Sequence, residues 1–313
     1  MSILVVGSVA FDNVKTPTGG GTDLLGGSAT HFAIAASFFS QVRLVAVVGE
    51  DFEDRHVAPF RERRVDLAGL QRVAGRTFRW AGEYGDDPND RRTLDTQLNV
   101  FADFQPRIPE GWARSPVVFL ANIDPELQWH VIEQVDAPAI VAADTMNFWI
   151  DSKRAGLLRT LSRVRILFVN DSELRDLTGR RNIVQAVDAV RAMGPQVVVV
   201  KRGEHGVIVF QPQGTFAVPA YPVREVVDPT GAGDSFAGGF LGYVASRLHA
   251  GPPDYRRAAV VGSVMASFQV EAFSLDRVRT LTPGEIAERY RGFRDLTCFD
   301  DLDPDALLGA AAP

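Results

Sequence analysis

Short apolar runs alternate with amphipathic stretches along most of the chain. Residues 3–7, 42–48, 117–120, 139–142, 166–169 and 197–200 are rich in Val, Leu and Ile and show little polar alternation. Runs of this kind, bounded by charges or turn residues, predict strands buried on both faces. Between them, residues 28–40, 51–64, 125–134, 152–162 and 183–193 carry helical periodicity, and beyond Asp228 so do 233–248, 254–268 and 283–293. The alternation predicts an α/β fold with a mostly parallel central sheet and helices on both faces.

Two stretches break this rhythm. Residues 11–25 hold Pro17 and the run Gly19-Gly20-Gly21, which forms no helix. Residues 76–104 contain Thr77 to Tyr84, a turn-rich centre and then Thr96 to Phe104, which reads as a hairpin carrying aromatic residues. Together they predict a small antiparallel β lid on the main sheet, inserted discontinuously into one domain spanning residues 1–300. Residues 301–313 are expected to form a disordered tail.

Composition narrows the chemistry. Of the 33 basic residues only Lys15, Lys153 and Lys201 are lysines, and none lies in the Gly-Lys-Ser/Thr context of a Walker-type phosphate loop. A net charge of −6 gives no electrostatic footprint for nucleic acid. The single cysteine, Cys298, excludes an internal disulfide and a cysteine-cluster zinc site. The N-terminal residues lack a basic n-region, so no signal peptide is expected. Residues 24–42, a stretch without Asp, Glu, Lys or Arg as long as any in the chain, are too polar and too short to span a bilayer comfortably. A cytoplasmic protein without membrane or nucleic-acid partners is the expectation.

Chemistry concentrates in residues 228–234, Asp-Pro-Thr-Gly-Ala-Gly-Asp, which open a helix of small residues. A glycine turn at a helix start aims free backbone N–H groups at one point, and the helix dipole adds partial positive charge there. This is an anion site made without lysine. Asp234, in the first helical turn, suits a base that receives the proton of a hydroxyl attacking a bound phosphate. The plainer reading makes Asp234 a dipole-stabilising acid and the glycines a turn.

The string closely resembles the C-terminal signature of the PfkB carbohydrate kinases, the ribokinase-like family. Further blocks agree in order: Gly26-Gly27 before a helix, Val48-Gly49-Glu50-Asp51, Asn170-Asp171-Ser172-Glu173, and Val200 to Gly206. The resemblance implies transfer of the γ-phosphoryl group of ATP to a hydroxyl of a sugar or sugar derivative. A nucleoside is the alternative acceptor, suggested by Trp80 and Tyr84 in the lid. Asp234 would be the base, with the N–H groups of Gly231, Ala232 and Gly233 as anion hole. Asn170 and Glu173 would order Mg²⁺ through water, although a capping box explains the same pair. Lys201, Gly203 and Thr230 would border the nucleotide with Asn170. Asp12, Gly26, Gly27 and His31 would face the acceptor.

Departures from ribokinase are also informative. Ala10, Ser28 and His31 stand where that enzyme has polar sugar contacts, so ribose is a poor expectation. The family's potassium-site residues are partly matched, by Asp228 and Thr230, while Gln269-Val270-Glu271-Ala272 departs, which leaves monovalent-cation dependence open. In related enzymes the lid contributes to a dimer, so a homodimer through the lid is implied. From another class, a dinucleotide-binding oxidoreductase is disfavoured, because Gly7-Ser8-Val9-Ala10 lacks the Gly-x-Gly-x-x-Gly spacing.

Overall fold

The computed structural model describes residues 1–300; the tail expected over 301–313 lies outside the described residues. In chain order the first elements are β1 (Ser2–Val6), β2 (Ala10–Thr16), β3 (Gly19–Gly26), α1 (Ser28–Ala36), β4 (Gln41–Val48), α2 (Asp54–Glu62), β5 (Asp66–Arg72), β6 (Phe78–Tyr84) and β7 (Arg91–Gln97). There follow β8 (Val117–Leu120), α3 (Pro125–Gln134), β9 (Ile140–Asp144), α4 (Asn147–Ser152), α5 (Arg154–Leu161), β10 (Ile166–Asn170), α6 (Asp171–Thr178), α7 (Ile183–Met193) and β11 (Val197–Lys201). The last are β12 (Val207–Gln211), β13 (Gly214–Val218), α8 (Ala232–Arg247), α9 (Tyr255–Gln269), α10 (Asp276–Arg279) and α11 (Pro283–Thr297).

Nine strands form one sheet in the order β13-β12-β11-β10-β9-β8-β1-β4-β5. All neighbours from β11 to β5 run parallel, and β12 and β13 add an antiparallel edge. Side chains of β1 divide between two cores, Ile3 and Val5 on one face, Leu4 and Val6 on the other. The first face is covered by α1, α2, α8, α9 and α11, the second by α3, α5, α6 and α7. Burial on both faces explains the unbroken apolar runs of these strands.

The lid is a separate four-stranded sheet, β3-β2-β6-β7. It consists of two antiparallel hairpins, β2–β3 and β6–β7, joined side by side by a parallel β2–β6 pairing. Chain order permits that parallel pairing: β6 arrives after β3, α1, β4, α2 and β5, a crossover long enough to bring it alongside β2 in the same direction, which a hairpin connection could not do. Helix α1 stops at Ala36, short of the expected Ser40, and Ser37 bonds back to the Ile34 carbonyl. Strand β5 has a mixed pattern and β13 a largely exposed one, so neither stands out as an apolar run, whereas β12 carries the apolar run Val207 to Phe210, which the strand reading above does not include.

The parallel strands end along one edge of the sheet. Register sets Asn170 beside Lys201, and Phe168 beside Asp144, so the ends of β9, β10 and β11 lie together. Open α/β sheets bind ligands at this edge.

Candidate active site

Gly231 is the N-cap of α8 and has φ +74°, a left-handed conformation that favours glycine. A Cβ there would also collide with the ring of His31, so both the backbone and the packing demand glycine. The turn behind it is pinned by Asp228, whose carboxylate accepts from the Thr230 N–H (2.9 Å) and the Ser274 N–H (3.2 Å). Ala232 donates its N–H to the Pro229 carbonyl at 3.2 Å. The N–H groups of Gly231 and Gly233 have no protein acceptor among the described residues. They are the orphan donors of a sixteen-residue helix start, open to an anion.

Asp234 follows these donors at the floor of the crevice. Burial raises its carboxyl to about 7, Asp144 and Asp12 push in the same direction, and Lys201 and Arg91 oppose them. Lys201 binds Asp144 through Nζ–Oδ2 at 2.7 Å. Burial alone would depress the Lys201 ammonium, but Asp144, Glu173 and Asp234 outweigh it and hold the group protonated above its ordinary range. A fixed positive charge therefore stands beside the turn, close to where a Cβ on Gly233 would lie.

Asn170 and Glu173 form a reciprocal capping box at the start of α6: Glu173 N–H donates to Asn170 Oδ1 (2.7 Å), and Asn170 N–H to Glu173 Oε2 (2.8 Å). Glu173 is buried, and that burial raises it to about 7 against the pull of Lys201. Among the described residues no three His, Cys, Asp or Glu side chains converge as a self-sufficient metal site.

On the lid side, Asp12 is buried and raised to about 7 by that burial, with the Gly27 N–H and Arg91 opposing and Asp228 reinforcing. Its carboxylate fills the space that a side chain on Gly26 would take. Trp80 pairs with Asp12 across β2–β6 and so lies on the same face of the lid. Tyr84 reaches down from that face to Thr230, its hydroxyl 3.2 Å from Thr230 Oγ1. Arg91, opposite Tyr84 in the β6–β7 register, leans over the Trp80 ring at 5.4 Å from its centroid. Further along, Asn89 of the lid tip presses on Gly203, so the lid spans the crevice from the turn to the end of β11.

The structure thus brings Asp12, Gly26, Gly27, Thr230 to Asp234, Lys201, Gly203, Asn170 and Glu173 to one crevice. His31 is placed differently from an acceptor-facing residue. It is 2% exposed, lies beneath Gly231, and has both ring nitrogens covered and without partners among the described residues. Burial lowers its pKa, so the ring is neutral. Sequence reasoning missed Asp144 and Arg91. Asp144 carried the same signal as Lys201, a charged residue closing a buried apolar strand, one position beyond Ala143. Arg91 gave no local signal, because only the lid fold carries it to the crevice.

Comparison with known proteins agrees with this arrangement. Residues 3–278 match the profile described as pfkB family carbohydrate kinase. The chain belongs to that family. It is 31% identical over 254 residues to the cytidine kinase of Thermococcus kodakarensis, covering 79% of this chain and 90% of that protein. It is 28% identical over 286 residues to a nucleoside kinase of Methanothermobacter thermautotrophicus, covering 86% and 89%. The fold resembles that of the Burkholderia thailandensis nucleoside kinase in complex with ADP-inosine, with a TM-score of 0.76 and 18% identity over 93% of this chain and 95% of that one. This pfkB kinase is therefore a phosphotransferase with a hydroxyl acceptor, and its fold is ribokinase-like. No helix among the described residues is long and apolar enough to cross a membrane.

Proposed function

We propose that this kinase transfers the γ-phosphoryl group of ATP to a hydroxyl of a nucleoside. The observation that carries the acceptor class is the pairing of Trp80 with Asp12 on the inner face of the lid. Asp12 offers a carboxylate to sugar hydroxyls beside the Gly26–Gly27 backbone, and Trp80 offers an aromatic face one strand away for a planar base. Base–aromatic stacking contributes about 1–3 kcal/mol, which a free sugar cannot collect. The nucleoside and cytidine kinases among the relatives support the same class.

In the reaction, the acceptor hydroxyl gives its proton to Asp234 as its oxygen bonds to the γ-phosphorus. The bond from that phosphorus to the bridging oxygen breaks, and ADP leaves with the electron pair. The N–H groups of Gly231 and Gly233 and the dipole of α8 hold the equatorial charge of the transferring group. Ala232 shapes this turn through its bond to Pro229. Lys201, fixed by Asp144, lies on the nucleotide side with Gly203 and Thr230. His31 backs the turn from beneath. A Mg²⁺ ion, when bound with the nucleotide, neutralises phosphate charge. Asn170, Glu173 and Asp144 supply oxygen donors suited to a hard cation that keeps its waters. A second copy of the chain meeting through the lid remains the proposed assembly, and a cytoplasmic setting the proposed location.

Transfer of label from γ-labelled ATP to a panel of nucleosides, sugars and polyols tests this reading. Label on nucleosides, lost in Asp234→Asn, is expected. Label on sugars alone would overturn the acceptor class, and no transfer to any acceptor would overturn the activity.

A further inference from the structure

Gln269, the last residue of α9, is completely buried behind the phosphate turn. Its Nε2 lies 3.2 Å from the Thr230 carbonyl and 2.6 Å from the Ser274 carbonyl, and its Oε1 lies 3.3 Å from Ser235 Oγ. The orientation of the amide follows from these partners. Two carbonyl oxygens only accept, so the NH₂ end must face them, and the oxygen must face the hydroxyl. One side chain thus joins the turn (Thr230), the first turn of α8 (Ser235) and the segment after α9 (Ser274). Asp228 lies in the same cluster, between the N–H groups of Thr230 and Ser274, and the neutral His31 ring borders it.

Two inward carbonyls next to a buried carboxylate are a donor set that would suit a monovalent cation, which the fold family implies. The residues here do not fit one. The point where an ion would meet the Thr230 and Ser274 carbonyls is filled by the Gln269 NH₂ group, whose two hydrogens already satisfy both oxygens. We infer that the Gln269 amide replaces a monovalent cation, holding the phosphate turn in shape so that phosphoryl transfer needs no such ion. Gln269 is in this sense a positioning residue: it acts on the Gly231 and Gly233 donors through Thr230 and touches no substrate.

The inference rests on the reading of the 228–234 turn as the anion site, and its test separates the two. First, wild-type turnover is compared in potassium and in tetramethylammonium salts at equal ionic strength, and agreement within about twofold is expected. Second, Gln269→Ala, which leaves both carbonyls unpaired, is expected to lose about tenfold or more in kcat in tetramethylammonium, with KM for ATP little changed, and to recover in potassium. Third, with no substrate present, potassium is expected to raise the melting temperature of Gln269→Ala and leave that of wild type unmoved. This last readout stands even if the enzyme's acceptor proves different. Stimulation of wild type several-fold by potassium would overturn the inference, even if the variant does not fold. A folded Gln269→Ala with full kcat in tetramethylammonium would overturn it as well.

Discussion

The Tyr84 hydroxyl on the lid lies 3.2 Å from Thr230 Oγ1 in the phosphate turn, a contact between residues 146 positions apart. It is a direct polar tie between the sheet that carries Asp12 and Trp80 and the turn that leads to Asp234, and a second runs from Thr18 Oγ1 of the β2–β3 turn to the Val227 carbonyl at 3.1 Å. Burial raises the Tyr84 phenol above its ordinary pKa, so it bonds as a neutral hydroxyl. Removing it alone, in Tyr84→Phe, costs a hydrogen bond of about 0.5–1.5 kcal/mol. The expected outcome is a two- to tenfold loss, roughly, in kcat/KM for the acceptor, with the melting temperature nearly unchanged. Steady-state kinetics against both substrates check it.

Asp234→Asn should abolish transfer and stabilise the protein. Loss of the base is expected to lower kcat by about 10²–10⁴. The wild-type carboxyl is held protonated to about pH 7 in the folded chain, against 3.8 as its ordinary value. The folded state therefore binds a proton that the unfolded chain releases between roughly pH 4 and 7, and stability falls across that window as pH rises. Asparagine removes that penalty. Its gain, on the order of 1–2 kcal/mol, should be full at pH 8 and vanish near pH 4, which urea unfolding at the two pH values would show.

The rate should follow the same protonation. Asp12, Glu173 and Asp234 are each raised to about 7 by burial and feel one another or shared neighbours. Their titration belongs to the group as a whole. A plot of kcat/KM against pH is expected to rise through an ascending limb near pH 7. A limb centred below pH 5 would contradict a buried base.

The Lys201–Asp144 pair is well buried, and losing one partner strands the other. Lys201→Met is expected to destabilise by about 2–4 kcal/mol and to weaken nucleotide binding. The double variant Lys201→Met with Asp144→Asn should recover most of the stability but none of the binding. Thermal unfolding and nucleotide titration, taken as a double-mutant cycle, separate the two effects.

What could be seen in the sequence was whatever is contiguous. The turn from Asp228 to Asp234 carries its glycines, its acid and its helix in one string, and the buried strands show as apolar runs because both faces are covered. Asn170-x-x-Glu173 was legible as a cap, and the cap is what the backbone makes. Contacts of the lid, and between the lid and the main sheet, were harder. The β2–β6 pairing that places Trp80 beside Asp12 joins segments separated by five elements, and no local pattern encodes it. Gln269 stood out only as a departure, because its partners Thr230 and Ser274 meet it through tertiary folding. His31 illustrates the converse: its type suggested a ligand contact, whereas its position beneath Gly231 makes it part of the turn's support.

The most direct test is the ratio of kcat/KM for cytidine to kcat/KM for free ribose, measured with ATP and Mg²⁺. A nucleoside kinase that stacks a base on Trp80 and holds the sugar at Asp12 should give a ratio of about 100 or more, reduced in Trp80→Ala. A ratio at or below about one, unaffected by Trp80→Ala, would contradict the proposed acceptor.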